Sequence, residues 1–286
     1  MLLITGATGH LGSSVVEQLL KTTKSQHFVV TSSNQQGVNA LASRGLQARI
    51  ANFSAVETLH TAFEGIDKLL LISTMDQNRF EQHKNVIDAA KAQGVQHIVY
   101  TSLAIQNIET SGVKDLMISH FQTEEYINKS GLTYTILRNT MYADAIVQIV
   151  GKQSLQHGIH LPGGEGKVPY ALRREMGEAT ANLLLHEGHE NKTYDFTGSQ
   201  HYGYKEIATA LSALSGIKIE YNDISSDDFR HFLQKIGSPD FLIYLHAGTL
   251  YDIKTKQYEL ESTVLEKLLG RPTASLEEFL KELFNL

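Results

Sequence analysis

Short apolar segments that favour β-strands alternate with segments of helical periodicity through the first half of this 286-residue chain, and this alternation constrains the fold most strongly. Several of the short segments are apolar throughout, as in strands covered on both faces. Short connections between such units predict right-handed βαβ crossovers and a parallel sheet. The predicted strands are Leu2–Thr5, Phe28–Thr31, Leu46–Ile50, Leu69–Ser73, Ile98–Ser102 and Tyr134–Arg138, followed by Tyr194–Gly198 and Lys218–Tyr221.

The domain organisation follows from a loss of this alternation in the second half of the chain. We predict an α/β fold in which residues 1–150, with a return segment at about 171–199, form a Rossmann-type doubly wound parallel sheet. Residues 151–170 and 200–286 are expected to form a smaller C-terminal α/β region. No Gly-, Ser- or Pro-rich linker separates the two parts, so they are expected to pack directly on each other.

Composition excludes several classes of function. The net charge of -6 argues against binding to nucleic acid, which requires clustered Lys and Arg. The absence of cysteine excludes disulfides and thiolate chemistry. The apolar run Met1–Ile4 is too short for a signal peptide or a membrane span, so no membrane contact is expected, and the absence of cysteine makes a cytoplasmic protein the default expectation. His186 and His189 lack a third ligand at a familiar spacing, so no metal site is expected.

A glycine-rich loop joins the first predicted strand to the first helix with the spacing G-x-x-G-x-x-G. Gly6 permits a tight turn, Gly9 lets the backbone approach a pyrophosphate, and Gly12 lets the helix pack closely on the strand. The N–H groups at the start of the helix then face the anion. A turn without a ligand is the alternative, but the strand–turn–helix context favours dinucleotide binding. The predicted cofactor residues of the loop are Gly6, Ala7, Thr8, Gly9, His10, Leu11 and Gly12.

The end of the second strand bears on the choice of cofactor. NAD enzymes often place a carboxylate there for the ribose 2′-OH, whereas NADP enzymes often place an Arg there. This chain has neither, and Ser33 and Asn34 instead offer hydroxyl and amide donors for a 2′-phosphate. Because no carboxylate would repel that phosphate, NADP(H) is the favoured cofactor, with NAD(H) as the alternative.

Several segments along the chain resemble the NmrA-like atypical short-chain dehydrogenases, among them members that reduce quinones and triphenylmethane dyes. The resemblance implies a Rossmann core, a smaller C-terminal substrate region, and cofactor contacts from Ile72, Ser73, Thr74, Arg138, Asn139 and Tyr142. It also implies an Arg where this chain has Ser33, which is a departure from the pattern of the family. The segments that carry the resemblance are Thr5–Gly9, Leu69–Ser73, Ile98–Ser102, Tyr134–Asn139, Gly188–Tyr194 and Leu268–Gly270.

The catalytic pattern of the wider short-chain family is incomplete. Ser102 ends the strand that usually carries the catalytic Ser, but no Tyr-x-x-x-Lys follows it. His120 and Glu124 stand at the corresponding place, one helical turn apart. One interpretation makes His120 a proton donor or substrate-positioning group that is oriented by Glu124. The other makes the two residues an ordinary exposed i,i+4 pair.

The missing Tyr–Lys pair favours an acceptor that needs little acid catalysis. Hydride transfer to a quinone or a cationic dye gives a stabilised product, so positioning contributes most of the catalysis. We therefore predict an NAD(P)H-dependent reductase of a flat small-molecule acceptor, with His120 and Tyr142 shaping the pocket and Phe241 or Tyr244 on its far side. A non-catalytic NADP-binding redox sensor and a nucleotide-sugar epimerase are the alternatives. The sequence leaves the oligomeric state open.

Overall fold

Nine β-strands are present in the computed structural model, which describes residues 1–286. Seven of them form one sheet in which every pair of neighbours is parallel. The strands are β1 (Leu2–Ile4), β2 (Phe28–Ser32), β3 (Gln47–Ile50), β4 (Lys68–Leu71), β5 (His97–Leu103), β6 (Thr133–Asn139), β7 (Ile159–His160), β8 (Lys192–Phe196) and β9 (Tyr221–Asn222).

The strand order of the large sheet is β3-β2-β1-β4-β5-β6-β8. The chain therefore runs outward from β1 in one direction, returns, and then runs outward from β4 in the other. This reversal between β1 and β4 is the switch point of a doubly wound Rossmann fold, where ligands bind beyond the carboxyl ends of the strands. The predicted fold class is confirmed.

Thirteen α-helices accompany the strands. Those of the first half connect successive parallel strands, and most of those after residue 200 belong to the C-terminal region. They are α1 (His10–Thr22), α2 (Gln35–Ala42), α3 (Val56–Ala62), α4 (Arg79–Ala92), α5 (Lys114–Ser130), α6 (Ile146–Val150), α7 (Ser154–His157), α8 (Arg173–Leu185), α9 (Tyr204–Ser215), α10 (Ser226–Lys235), α11 (Asp240–Lys254), α12 (Val264–Leu269) and α13 (Leu276–Phe284).

Both faces of the large sheet are buried along β1, β2, β4 and β5, which explains why several of the predicted strands are apolar throughout. Alternate residues of a strand point to opposite faces. In β1, Leu3 and Ile4 are both fully buried, and they belong to different hydrophobic clusters. One cluster includes residues of α1 and α8, and the other includes residues of α3 and α4. The sheet is thus the middle of three layers.

The second half of the chain contributes to both sheets. β8 joins the large sheet beside β6, whereas β7 and β9 form a separate two-stranded parallel sheet. A third hydrophobic cluster, of 26 buried residues, lies mainly in α9, α11, α13 and the segments around them. This arrangement supports the predicted division into a Rossmann domain and a substrate region, which stays a prediction.

The predicted strand boundaries need limited correction. The first six predicted strands overlap β1 to β6 with ends that agree within two residues. The prediction of a strand over Lys218–Tyr221 is wrong except at Tyr221, because only two residues pair with β7. Lys218 and Glu220 instead form an exposed ion pair. None of the helices is long and apolar enough to cross a bilayer.

Candidate cofactor and acceptor site

A cavity of about 660 Å³ lies beyond the carboxyl ends of β1, β4, β5 and β6. At one end it is lined by the glycine-rich loop, and at the other by side chains of α10 and α11. Its position next to the β1/β4 switch point is the place where a doubly wound sheet binds a dinucleotide. One continuous space therefore adjoins both the nucleotide loop and the C-terminal helices.

The glycine-rich loop is shaped by close contacts that no other residue would allow. Gly6 has a φ of +62°, in the left-handed region, and its carbonyl oxygen accepts a hydrogen bond of 2.9 Å from the N–H of Gly9. A Cβ on Gly12 would lie 2.1 Å from that same oxygen. α1 begins at His10 with no side-chain cap, so its first N–H groups remain available. The loop fits a pyrophosphate bound by backbone N–H groups.

A buried acceptor on β6 provides a second test of whether a nicotinamide cofactor fits. Asn139 donates its Nδ2 to the hydroxyl of Tyr142 at 3.2 Å, while its Oδ1 is buried without a partner. Both residues line the cavity. An unpaired buried acceptor is costly unless a ligand supplies the donor. The carboxamide N–H₂ of a nicotinamide is such a donor, so the residues present fit the cofactor.

A smaller cavity of about 360 Å³ adjoins the other side of the glycine-rich loop, at the end of β2. Ser33 lines it, but no Lys or Arg does, and the one carboxylate is that of Asp76. Asn34 does not line it, because its side chain caps α2 by accepting a 2.9 Å hydrogen bond from the N–H of Gly37. An adenosine 2′-phosphate bound here would meet hydroxyl donors and no cationic side chain.

The predicted cofactor residues separate into two groups in the structure. Three line neither cavity: Ala7 is buried in the hydrophobic core, Asn34 caps a helix, and Arg138 is paired with Glu124. Their assignment to the cofactor has no geometric support. The remaining twelve line one cavity or both, and they are Gly6, Thr8, Gly9, His10, Leu11, Gly12, Ser33, Ile72, Ser73, Thr74, Asn139 and Tyr142.

The predicted pairing of His120 with Glu124 is wrong. Glu124 accepts hydrogen bonds from the hydroxyl of Ser102 at 2.5 Å and from Nε and Nη2 of Arg138 at 3.0 and 2.6 Å. The carboxylate therefore links α5 to β5 and β6 and does not orient the imidazole. The alternative of an exposed pair is also wrong, since both side chains are buried.

His120 belongs instead to a buried polar cluster. Its Nδ1 lies 2.8 Å from the hydroxyl oxygen of Tyr100, which is fully buried. Burial and the positive charge of Arg79 hold the pKa of His120 well below its ordinary value. Burial raises the pKa of the Tyr100 phenol. Both groups are therefore neutral at physiological pH, and His120 lines the cavity.

Tyr142 is held at the cavity wall by two contacts. Besides its bond with Asn139, its ring is covered by the Arg173 guanidinium, whose carbon lies 4.2 Å from the ring centroid. Burial raises the pKa of its phenol. Tyr142 therefore supplies a neutral aromatic surface at the place where the chain leaves β6 for the C-terminal region.

The match to known proteins settles the family. The model of the NmrA-like family matches residues 1–280. The chain belongs to the NmrA-like family. Quinone oxidoreductase 2 of Escherichia coli (strain K12) is 36% identical to this NmrA-like protein over 290 residues, which is 100% of this chain and 99% of that protein. The resemblance inferred from the sequence motifs is confirmed.

Solved structures of NmrA-like relatives match the fold over its full length. The NADPH-dependent quinone oxidoreductase of Escherichia coli, complexed with NADPH, superposes with a TM-score of 0.93 at 35% identity and full coverage of both chains. The triphenylmethane reductase of a Citrobacter species, complexed with NADP(H), gives a TM-score of 0.91 at 33% identity over 99% of each chain. The shared architecture therefore includes the C-terminal region as well as the Rossmann sheet.

The far side of the cavity in this NmrA-like protein differs from the prediction. Phe241 and Tyr244 do not line it. Both residues lie on α11, but other side chains of this helix face the cavity. The helical period alone does not determine which side of α11 faces the cavity, so the prediction chose the wrong residues of this helix. The residues of α10 and α11 that line the cavity are Phe229, Leu245, His246, Thr249 and Leu250.

Arg79 and Tyr100 are two further site residues that sequence reasoning missed. Tyr100 lies within the apolar segment of β5, so the sequence pattern predicts that it is an ordinary core residue. Arg79 opens α4 and reads as an exposed helix residue, yet it is fully buried. No sequence pattern could identify either residue, because a single sequence does not reveal which polar side chains share a cavity.

Proposed function

We propose that this NmrA-like protein is a reductase that transfers hydride from NADPH to a flat electrophilic acceptor of the quinone class. The observation that carries the proposal is the single cavity that joins the glycine-rich loop to an apolar chamber under α10 and α11. A nicotinamide bound next to Asn139, at the end of β6, would lie in the same cavity as the acceptor. A cytoplasmic location, expected from composition, is part of this proposal.

The relatives support the choice of cofactor and acceptor. Those of known structure were complexed with NADPH and NADP(H), and one of them is named as a quinone oxidoreductase. A further relative is the NAD(P)H azoreductase of Xenophilus azovorans, 27% identical over 98% of this chain. Quinones, azo compounds and triphenylmethane dyes share a flat conjugated system that accepts hydride.

The residues of this chain have distinct tasks in the proposed reaction. The N–H groups that begin α1 would bind the pyrophosphate, and Asn139 Oδ1 would accept a hydrogen bond from the carboxamide. NADPH, when bound, would supply the hydride from its reduced nicotinamide and would itself be oxidised to NADP+. The quinone gains that hydride and becomes a hydroquinone monoanion, which takes its proton from water. Apolar lining residues such as Leu250 and Ile149 exclude water from the reacting centre.

The test is the consumption of NADPH by the purified protein, measured with and without a panel of small quinones and repeated with NADH. Quinone-dependent oxidation above the rate without protein is the expected result. Tight binding of NADPH without consumption across the panel would overturn the proposal and favour a redox sensor. Conversion of a nucleotide sugar with a retained oxidised cofactor would favour an epimerase.

The cavity at the end of β2 leads to a prediction about cofactor preference. Because no cationic side chain lines it, the protein is expected to prefer NADPH over NADH only modestly. A Ser33→Arg substitution adds a charge-assisted contact to the 2′-phosphate and is expected to raise the NADPH-to-NADH ratio of kcat/KM about tenfold. Ser33→Gln, a long uncharged side chain, is the matched control and should leave the ratio nearly unchanged. An equal ratio in the Arg and Gln variants would contradict the prediction.

A further inference from the structure

The hydrogen bonds behind His120 determine where its proton lies. The Thr123 hydroxyl donates to the carbonyl oxygen of Ser119 at 2.8 Å, so its oxygen accepts from Nδ1–H of His83 at 3.0 Å. The Thr123 hydroxyl therefore has no further proton to donate to the Tyr100 oxygen. The Tyr100 hydroxyl makes one hydrogen bond of normal geometry, with Nδ1 of His120 at 2.8 Å. The phenol keeps its proton because burial raises its pKa, so it donates to that nitrogen.

A neutral imidazole that accepts at Nδ1 carries its proton at Nε2. The Nε2 of His120 has no partner within the protein and is accessible from the cavity that the residue lines. The side chain as a whole is 8% exposed. His120 therefore presents one fixed N–H donor to the cavity, and Tyr100 sets which nitrogen carries it.

The charge around this donor favours an anion in the cavity. Arg79 is fully buried and has no carboxylate partner, since its guanidinium donates to the carbonyl oxygens of Thr74 and Leu116 and to the hydroxyl of Ser119. No Asp or Glu lines the cavity. An uncompensated buried cation makes a second positive charge on His120 unfavourable and stabilises a negative charge nearby.

We propose that His120 donates its Nε2–H to the acceptor oxygen on which negative charge develops, and that Tyr100 is a positioning residue that fixes this tautomer. The inference rests on the proposed function, and it specifies the acceptor as one whose reduction creates an oxyanion. When the quinone gains hydride, its oxygen becomes the oxyanion that accepts from His120. The imidazole keeps its proton throughout, and water protonates the product. A preorganised donor in a site of low dielectric constant stabilises such charge strongly.

The first experiment compares two replacements of His120 in the full-length protein. His120→Leu removes the donor and is expected to lower kcat with a quinone about 100-fold while leaving the Kd for NADPH nearly unchanged. His120→Gln places an amide N–H₂ where Nε2–H stood and is expected to recover most of this loss. An unchanged kcat in the Leu variant, or an equal loss in the Leu and Gln variants, would overturn the proposal.

The second experiment observes the tautomer directly, through the ¹⁵N chemical shifts of the His120 ring in labelled native protein and in Tyr100→Phe. The native ring is expected to be neutral with its proton on Nε2. In Tyr100→Phe the two tautomers are expected to mix, and kcat with the quinone to fall about tenfold. A protonated ring, or a proton on Nδ1, in the native protein would overturn the inference while leaving the reductase function intact. Failure of the native protein to reduce any quinone would overturn the proposed function itself.

Discussion

Replacement of Gly12 by Ala is expected to abolish NADPH binding at millimolar concentration and to destabilise the fold by about 3 kcal/mol. The new Cβ would stand 2.1 Å from the carbonyl oxygen of Gly6 and 2.7 Å from its carbonyl carbon. Both are backbone atoms, so no side chain can move to relieve the contact. The start of α1 must shift away from β1, which displaces the N–H groups that bind the pyrophosphate. Fluorescence titration with NADPH and urea unfolding measure the two effects.

Gly9→Ala is the matched control for this prediction. Its Cβ would lie 3.3 Å from the same oxygen, a contact that a small adjustment relieves. The urea midpoint should therefore stay near that of the native protein, while NADPH binding weakens because the methyl group faces the bound pyrophosphate. If Gly12→Ala bound NADPH as the native protein does, the proposed role of the loop would be wrong.

Acidification from pH 7 to about pH 5 is expected to destabilise the protein by several kcal/mol. Burial is the main cause that lowers the pKa of His83 to about 3 and that of His97 to about 4, and it holds the pKa of His120 well below 6.5. In the unfolded chain these residues take up protons below about 6.5, whereas in the folded protein they do not. The free energy of unfolding therefore falls as the pH drops through this window, by about 1.4 kcal/mol per pH unit for each histidine.

Urea unfolding at a series of pH values measures this slope. His97→Gln provides the control, because an amide preserves the hydrogen bond that Nε2 makes to the Thr135 hydroxyl at 2.9 Å but does not titrate. The variant should lose about 1.4 kcal/mol per pH unit of the slope between about pH 6.5 and about pH 5. A free energy of unfolding that stays constant over this range in the native protein would contradict the prediction.

Periodic patterns made most of the Rossmann half predictable. Strands covered on both faces are largely apolar, and β1, β2, β4 and β5 meet that condition, so their positions follow from the residues alone. β7 and β9 are two residues long and pair only with each other. Such a short ladder leaves no periodic signal, so the first was missed and the strand predicted over Lys218–Tyr221 overlaps the second only at Tyr221.

The candidate site likewise has one part that the sequence predicts and one part that it does not. The spacing of Gly6, Gly9 and Gly12 is a local requirement of the strand–turn–helix geometry, and it identified the nucleotide loop correctly. The partners of His120 and Glu124 depend on which side chains of β5 and β6 meet α5. Helical spacing placed the two residues on one face, but the folded protein gives each a different partner from a strand.

The sequence by itself determined the family, the parallel sheet and the nucleotide loop, because each depends on residue types at short separations along the chain. Tertiary structure alone decided the acceptor site. Arg79, Tyr100 and His120 come from three separate elements, and their charge and tautomer follow from burial and from contacts over 20 or more residues. The proton on Nε2 of His120 is a property of the folded cluster, since the hydrogen bond from Tyr100 exists only when β5 and α5 are packed together.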